Sequence, residues 1–262
     1  MSGLTGRTVL VTRAPGQAGE FSKLLRERGA TVVEVPTIEI VPPLSWEDAD
    51  RAIDRLPGYD WLILTSTNAV DWFFRRVRER RGDLACLDGV RVCAVGPKTR
   101  QTIERAGLDV AFQPSVYRAE GLINEAGEGA WHGKRVLFPR AAEWRDVIPD
   151  EMRRLGAELD LVTVYRTVPS PAGREKLSSL LAAGTLDALT FTSGSTVKSF
   201  VSLLDPARIS SIAGRVVVAC IGPVTAAAAS AAGLPVDALA REATMPGLAD
   251  ALDEYFAGCR PL

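Results

Sequence analysis

Short runs of apolar and β-branched residues alternate along the chain with stretches whose apolar residues recur every three or four positions. Residues 7–12 (RTVLVT) form the first run and end at Arg13, Pro15 and Gly16, the composition of a buried strand followed by a turn. Phe21, Leu24 and Leu25 then stand at helical spacing within 17–28, and Gly29 closes that helix as its C′ residue. TVVEV (31–35) is a second strand. Strand, helix, strand with short connections is a βαβ unit, which favours a parallel sheet and a right-handed crossover. The same alternation predicts strands at 61–65 and 90–95. It predicts helices at 67–80, at 97–106 (ended by Gly107) and at 120–126. Further on it predicts strands at 189–192 and 215–221, and helices at 195–204, 223–232 and 247–256. Pro36, Pro42 and Pro43 bracket TIEIV (37–41), which suits a short exposed ribbon better than a sheet centre.

The second set of elements repeats the first. Asp60, Thr65 and Ser66 match Asp187, Thr192 and Ser193 at a shift of 127 (193 − 66), and TGRTVLVTRAPG from Thr5 falls on HGKRVLFPRAAE from His132 at the same shift. Gly96, Pro97, Thr99 and Gly107 match Gly222, Pro223, Thr225 and Gly233 at 126 (222 − 96), and Gly121-Leu122 falls on Gly247-Leu248. Two copies of roughly 125 residues are too long for a solenoid repeat and fit two related domains. The partner of the proline-bracketed ribbon is TVYRTV (163–168), closed by Pro169 and Pro171. These two segments are the places where the chain is expected to cross between domains.

Bulk properties narrow the function classes. Hydrophobic residues make up 47% and charged residues 24%, the balance of an ordinary globular protein, and the net charge is −1. No global field recruits nucleic acid or an anionic membrane, so an anionic ligand must be held by local donors. The arginine cluster Arg75, Arg76, Arg78, Arg80 and Arg81 contains Glu79 and precedes Asp83, which reads as a solvated helix face. The apolar stretch 216–234 is broken by Gly222, Pro223 and Gly233, against a membrane span. A strand begins within a few residues of Met1, leaving no room for a signal peptide. Cys86, Cys93, Cys220 and Cys259 have no metal spacing and read as reduced packing residues of a cytoplasmic protein. The single histidine, His132, reads as a surface turn residue.

Two loop types recur where chemistry could sit. One is Thr-Ser-x-x between a strand and a helix: Thr65-Ser66-Thr67-Asn68 and Thr192-Ser193-Gly194-Ser195. The other is Gly-Pro-x-Thr: Gly96 to Thr99 and Gly222 to Thr225. Ligands of open α/β sheets bind beyond the carboxyl ends of the strands, where helix N-termini offer free N–H groups to carboxylates or phosphates. Each loop alone is also an ordinary helix start, since Ser and Thr cap helices and Pro favours the first turn. Arg13 and Arg140 occupy matched positions after their first strands, and arginine presents a fork of donors to carboxylates. Tyr165, in the crossing segment, carries a phenol able to protonate a leaving oxygen; packing of the ribbon is its bland alternative. No nucleotide loop, metal cluster or serine or cysteine triad is present, so no cofactor is expected.

Taken together, VLVTR, LILTSTNAV, CAVGPKTRQTIERAG, VTVYRT, LTFTSGSTV and ACIGPVTAAAASAAG resemble the uroporphyrinogen-III synthase family, in order and spacing, over about residues 7–256. The resemblance implies an α/β fold: two related α/β domains with parallel sheets, joined by a two-stranded β linker, with the ligand in a cleft between them. It implies a discontinuous first domain (1–37 with 168–262), a second domain (42–163) and a linker ribbon of 38–41 and 164–167. The implied substrate is a linear tetrapyrrole, hydroxymethylbilane. It would be cyclised to uroporphyrinogen III with inversion of the last ring and loss of water, by a monomer needing no cofactor, nucleic acid or membrane. Residue by residue, Tyr165 matches the linker tyrosine, and Ser66, Thr99, Ser193 and Thr225 match the family's cleft hydroxyls. Lys98 has no counterpart, because Val224 takes the matched position, and Gly194 enters through its backbone only. The alternative is a two-domain anion-binding module without catalysis, which needs no phenol. A phosphoacceptor regulator would need acids at strand ends, and Asp60 and Asp187 precede their strands instead.

Overall fold

The computed structural model describes residues 2–12, 19–116, 119–126, 128–143 and 147–258. In chain order the elements are β1 (Thr8–Val11), α1 (Gly19–Glu27), β2 (Thr31–Glu34), β3 (Ile38–Val41), α2 (Glu47–Asp54), β4 (Trp61–Leu64) and α3 (Thr67–Arg81). There follow β5 (Arg91–Ala94), α4 (Pro97–Arg105), α5 (Ala119–Ala126), β6 (Arg135–Ala141), α6 (Val147–Arg154) and β7 (Glu158–Pro169). The last third holds α7 (Pro171–Ala183), β8 (Ala188–Phe191), α8 (Gly194–Val201), α9 (Pro206–Ile212), β9 (Val217–Cys220), α10 (Pro223–Ala231), β10 (Ala238–Leu239) and α11 (Met245–Phe256).

Two compact units result: Met1–Glu39 with Val168–Leu262, hereafter unit 1, and Ile40–Thr167, unit 2. Each holds one five-stranded sheet, ordered β10-β9-β8-β1-β2 in unit 1 and β3-β7-β6-β4-β5 in unit 2. In unit 1 every adjacent pair is parallel, and so are β5-β4, β4-β6 and β6-β7 in unit 2. At the remaining edge of unit 2, Ser170 N–H donates to Thr37 O and Arg166 Nε donates to Pro42 O, so the ribbon segments run in opposite directions. TVYRTV lies in the latter half of the twelve-residue strand β7, whose residues from Glu158 to Tyr165 pair with β6.

Period-two burial explains why the strands are apolar throughout. On β4, Leu62 and Leu64 pack with α2 and α3 on one face, while Trp61 and Ile63 pack with α5 and α6 on the other. On β8, Leu189 and Phe191 face α8 and α10, and Ala188 faces α1 and α11. Parallel strands covered by helices on both faces have no solvent side to spend on polar residues. Each large side chain so buried contributes about 1.5–3 kcal/mol.

The duplicated glycines have a steric cause. A Cβ on Gly121 would lie 2.0 Å from Val116 O, and one on Gly247 would lie 2.5 Å from Glu242 O. In both copies the last helix starts with its first turn pressed on the carbonyl five residues earlier. Only glycine permits that approach.

Some elements were not anticipated. Helix α8 stops at Val201 rather than at 204, because Asp205 and Pro206 start α9, with the Asp205 carboxylate accepting from Arg208 N–H. That Asp-Pro start was available in the sequence. Helix α2 has no side-chain cap at Trp46, but Ser45 Oγ accepts from Glu47 N–H and three acids fill its first turn, signals that were also available in the sequence.

Candidate functional site

In unit 2 the parallel strands end on one rim. Thr65 and Ser66 follow β4, Gly96 lies two residues beyond β5, Arg140 is the penultimate residue of β6, and Tyr165 lies in β7 opposite Ala141. Between Arg140↔Thr163 and Ala141↔Tyr165 the register slips by one residue, leaving Val164 as a bulge. A bulge re-aims the side chains beyond it. Regular alternation would set Val164 and Tyr165 on opposite faces, yet both join the same hydrophobic cluster. The tyrosine ring is therefore a core residue, 7% exposed. Its hydroxyl lies 3.3 Å from Ser66 Oγ. Because β6 separates β7 from β4, the ring crosses the end of β6 at the small residue Ala141.

Ser66 is the N-cap of α3, and its Oγ accepts from Ala69 N–H at 3.1 Å. With one lone pair used by the helix, the hydroxyl proton is free to be donated to the phenol oxygen. Such a bond stabilises negative charge on that oxygen and leaves the phenol's own proton for another acceptor. Thr65 and Asn68 are half-buried neighbours on the same turn. The Arg140 guanidinium is partly buried; Nη1 donates to Ala141 O at 3.3 Å, and Nε is buried with no partner among the described residues.

Unit 1 builds the same Thr-Ser turn differently. Ser193 Oγ accepts from Thr196 N–H, and Thr196 Oγ1 accepts in return from Ser193 N–H, a closed capping box. Ser195 Oγ lies 2.8 Å from Ser193 Oγ, so this hydroxyl is satisfied within its own turn. Thr192 is half-buried, and Gly194 starts α8 beside Ala228 of α10, where a Cβ would make an ordinary contact with the Ala228 methyl. Arg13 lies outside the described residues, as does Cys259.

The Gly-Pro loops behave alike in both copies and remain open. Gly96 and Gly222 provide no side-chain cap, and the first helical bonds run from Arg100 N–H to Gly96 O and from Ala226 N–H to Gly222 O. Proline has no N–H, so the amides of Lys98, Thr99, Val224 and Thr225 stand free at two helix N-termini. Thr99 and Thr225 are 4% and 5% exposed, and neither hydroxyl has a hydrogen-bond partner among the described residues. Lys98 is exposed, and so is Val224 in its place in unit 1.

Several residues that hold these rims were not singled out from the sequence. Thr12 Oγ1 donates to Thr190 O and Thr190 Oγ1 to Leu10 O, crossing β1 to β8 just below the rim of unit 1. Their counterparts in unit 2 are Pro139 and Ile63, so a hydroxyl present in only one copy was the available signal. The matched acids are structural. Asp187 accepts from Thr8 N–H and Arg7, and Asp60 from Arg135 N–H and Lys134, so each ties the start of its strand to the next. These donors, the backbone N–H first, hold the Asp60 carboxyl below the ordinary carboxylate range.

The cysteine thiols are inert by environment: burial pushes Cys93 up to about 12 and Cys220 up to about 11. The arginine cluster on α3 is largely occupied. Arg76 forks onto Asp50, Arg80 bridges Asp50 and Asp54, and Arg81 meets Asp54. No group of metal-ligating side chains occurs among the described residues.

A family model described as uroporphyrinogen-III synthase HemD matches residues 19–250. The chain belongs to the uroporphyrinogen-III synthase family. It is 34% identical to a uroporphyrinogen-III synthase of Synechococcus elongatus, covering 96% of both chains. It is 32% identical to one of Chlorobaculum parvum, covering 95% of this chain and 98% of the relative. A mutant uroporphyrinogen III synthase of Thermus thermophilus has the same fold, with a TM-score of 0.60 at 17% identity over 96% of this chain and 99% of its own. Membership in the uroporphyrinogen-III synthase family places the chain among the lyases that cyclise hydroxymethylbilane in tetrapyrrole biosynthesis.

Proposed function

We propose that the chain closes hydroxymethylbilane into uroporphyrinogen III, with Tyr165 as the proton donor to the departing hydroxyl. The observation that carries this reading is the Tyr165–Ser66 contact on the rim of unit 2, in a chain matched to the family over nearly its whole length. The pyrrole nitrogen supplies the electron pair that breaks the C–O bond. The oxygen leaves as water with the phenol proton, and an electrophilic azafulvene remains. Attack through a spiro intermediate inverts the last ring. The proton released at final ring closure restores the phenol, so the overall reaction loses one water and nothing else.

The open N-termini of α4 and α10 suit the carboxylates of this substrate. Each offers two free amides, the positive end of a helix and a threonine hydroxyl with no competing partner. The capped turns at Ser66 and Ser193 have fewer donors left over and serve to fix the chain around the rims. Because the pyrrole chemistry is largely intrinsic, the contribution of the protein is positioning and help for one leaving group.

We place this activity in the cytoplasm, on the route to haem, carried out by a monomer acting on a small molecule. The net charge of −1, the paired α3 arginines and the lack of any helix among the described residues long and apolar enough to cross a membrane support that reading. Incubation of the purified chain with hydroxymethylbilane, without added metal or nucleotide, tests the activity by isomer analysis of the product. Type III is expected. Type I alone, at the spontaneous rate, overturns the proposal, and tight binding without turnover supports the anion-binding module instead.

A further inference from the structure

We propose that Arg140 binds the carboxylate nearest the reacting ring and so decides which end of the linear tetrapyrrole lies against Tyr165. This rests on the reading of the substrate given above and assigns one of its contacts. Among the described residues, Arg140 Nε is buried with no partner, and Nη1 has only the Ala141 carbonyl at 3.3 Å. A guanidinium is charged at every accessible pH and carries five donors, so a buried one is expected to be paired.

The other arginines of unit 2 show what pairing looks like here. Arg76, Arg80, Arg81, Arg100 and Arg154 each reach a carboxylate within 3.2 Å. No carboxylate among the described residues lies within ion-pair reach of Arg140. Exposed arginines without a carboxylate give their donors to water, which the buried Nε cannot do. The location selects the missing acceptor. Arg140 precedes Ala141, whose strand partner is Tyr165, and the register slip falls between Arg140 and Ala141. Nη1 reaches the Ala141 carbonyl, on the residue paired with Tyr165, so the fork stands at the end of β6 on the rim that carries the phenol. An acid bound there holds the pyrrole that carries it beside the phenol.

Two full-length variants test the assignment. Arg140→Gln removes the charge and the fork; Arg140→Lys keeps the charge alone. With hydroxymethylbilane, Arg140→Gln is expected to raise KM by about 10–100-fold while kcat changes by about threefold or less. The type III share of the product is expected to fall as misplaced substrate closes uninverted. Arg140→Lys is expected to fall between wild type and Arg140→Gln. Affinity for an unreactive octacarboxylate, measured at an unchanged thermal midpoint, is a readout that a purely structural arginine does not move. Unchanged KM and isomer ratio in a folded Arg140→Lys and Arg140→Gln overturn the assignment; if Arg140→Gln does not fold, unchanged values in Arg140→Lys alone do so. Binding of uroporphyrin, an unreactive octacarboxylate, separates the two proposals. Weaker binding by either variant supports Arg140 as a carboxylate site even if wild type shows no turnover, and equal binding counts against it.

Discussion

The Thr-Ser turn was written twice, and its two copies have come to different uses. In unit 1, Ser193 spends its hydroxyl on a capping box and on Ser195. In unit 2, Ser66 caps α3 with one lone pair and still meets the Tyr165 hydroxyl. The counterpart of Tyr165 in unit 1 is Ile38, which has no hydroxyl to offer. Duplication thus supplied two similar turns, and one aromatic residue beside a bulge gave one rim a phenol that the other lacks. The Gly-Pro loops show the opposite case: both copies stay uncapped, as two equivalent binding positions would.

The sharpest way to break the comparison is Tyr165→Phe. It is expected to lower kcat by about 10²-fold with little change in KM, because the lost interaction belongs to the transition state. Ile38→Val is expected to leave kcat within about twofold. Steady-state kinetics on both variants decide, and a folded Tyr165→Phe with wild-type kcat would reduce the phenol to core packing.

Next in size is the glycine pair. Gly121→Ala and Gly247→Ala both force a methyl onto a backbone carbonyl, and each is expected to cost about 2–3 kcal/mol. Gly121→Ala should lower the thermal midpoint more, given the closer approach of 2.0 Å against 2.5 Å. Equal and negligible shifts would show that the helix starts can move.

The serines come third. Both alanine variants lose a cap, at about 1 kcal/mol of stability each. Only Ser66→Ala is expected to slow turnover, by about 5–10-fold, through the lost hydrogen bond to the phenol. If Ser193→Ala slows the reaction equally, the two turns are not differentiated.

The smallest effect is a pH dependence. Asp60 has its pKa depressed in the folded chain by Arg135 N–H and Lys134. Its contribution is fully present above the unfolded value near pH 4. It is lost as the pH falls through the lower folded value. Urea midpoints between pH 5 and 3 should fall less steeply in Asp60→Asn, which is already short of about 1 kcal/mol at neutral pH. Parallel curves for the variant and wild type would remove Asp60 from the acid limb.

Much of the fold was legible beforehand because it rests on local and periodic signals. Short β-branched or apolar runs such as WLIL and VRVCA between turn signals read as buried strands, and Gly29, Gly107 and Gly233 end helices at positive φ. The duplication located both loop types. The capping of Ser66 and Ser193 and the uncapped Gly-Pro starts follow from residues within one turn of each other. What could not be read was any contact set by strand order. Thr12 with Thr190, Asp60 with Arg135 and Tyr165 with Ser66 join residues 178, 75 and 99 positions apart.

The sequence by itself determined two parallel α/β repeats, the rims on which their loops lie and the residue types placed there. The tertiary structure alone decided which capping hydroxyl also meets a side chain from another strand. That choice depends on sheet order, which sets β6 between β7 and β4, and on a one-residue register slip at Val164 that turns Tyr165 toward Ser66. A local pattern repeats every two or 3.6 residues and carries no record of its neighbour across a sheet, whereas a hydrogen bond between strands depends on nothing else.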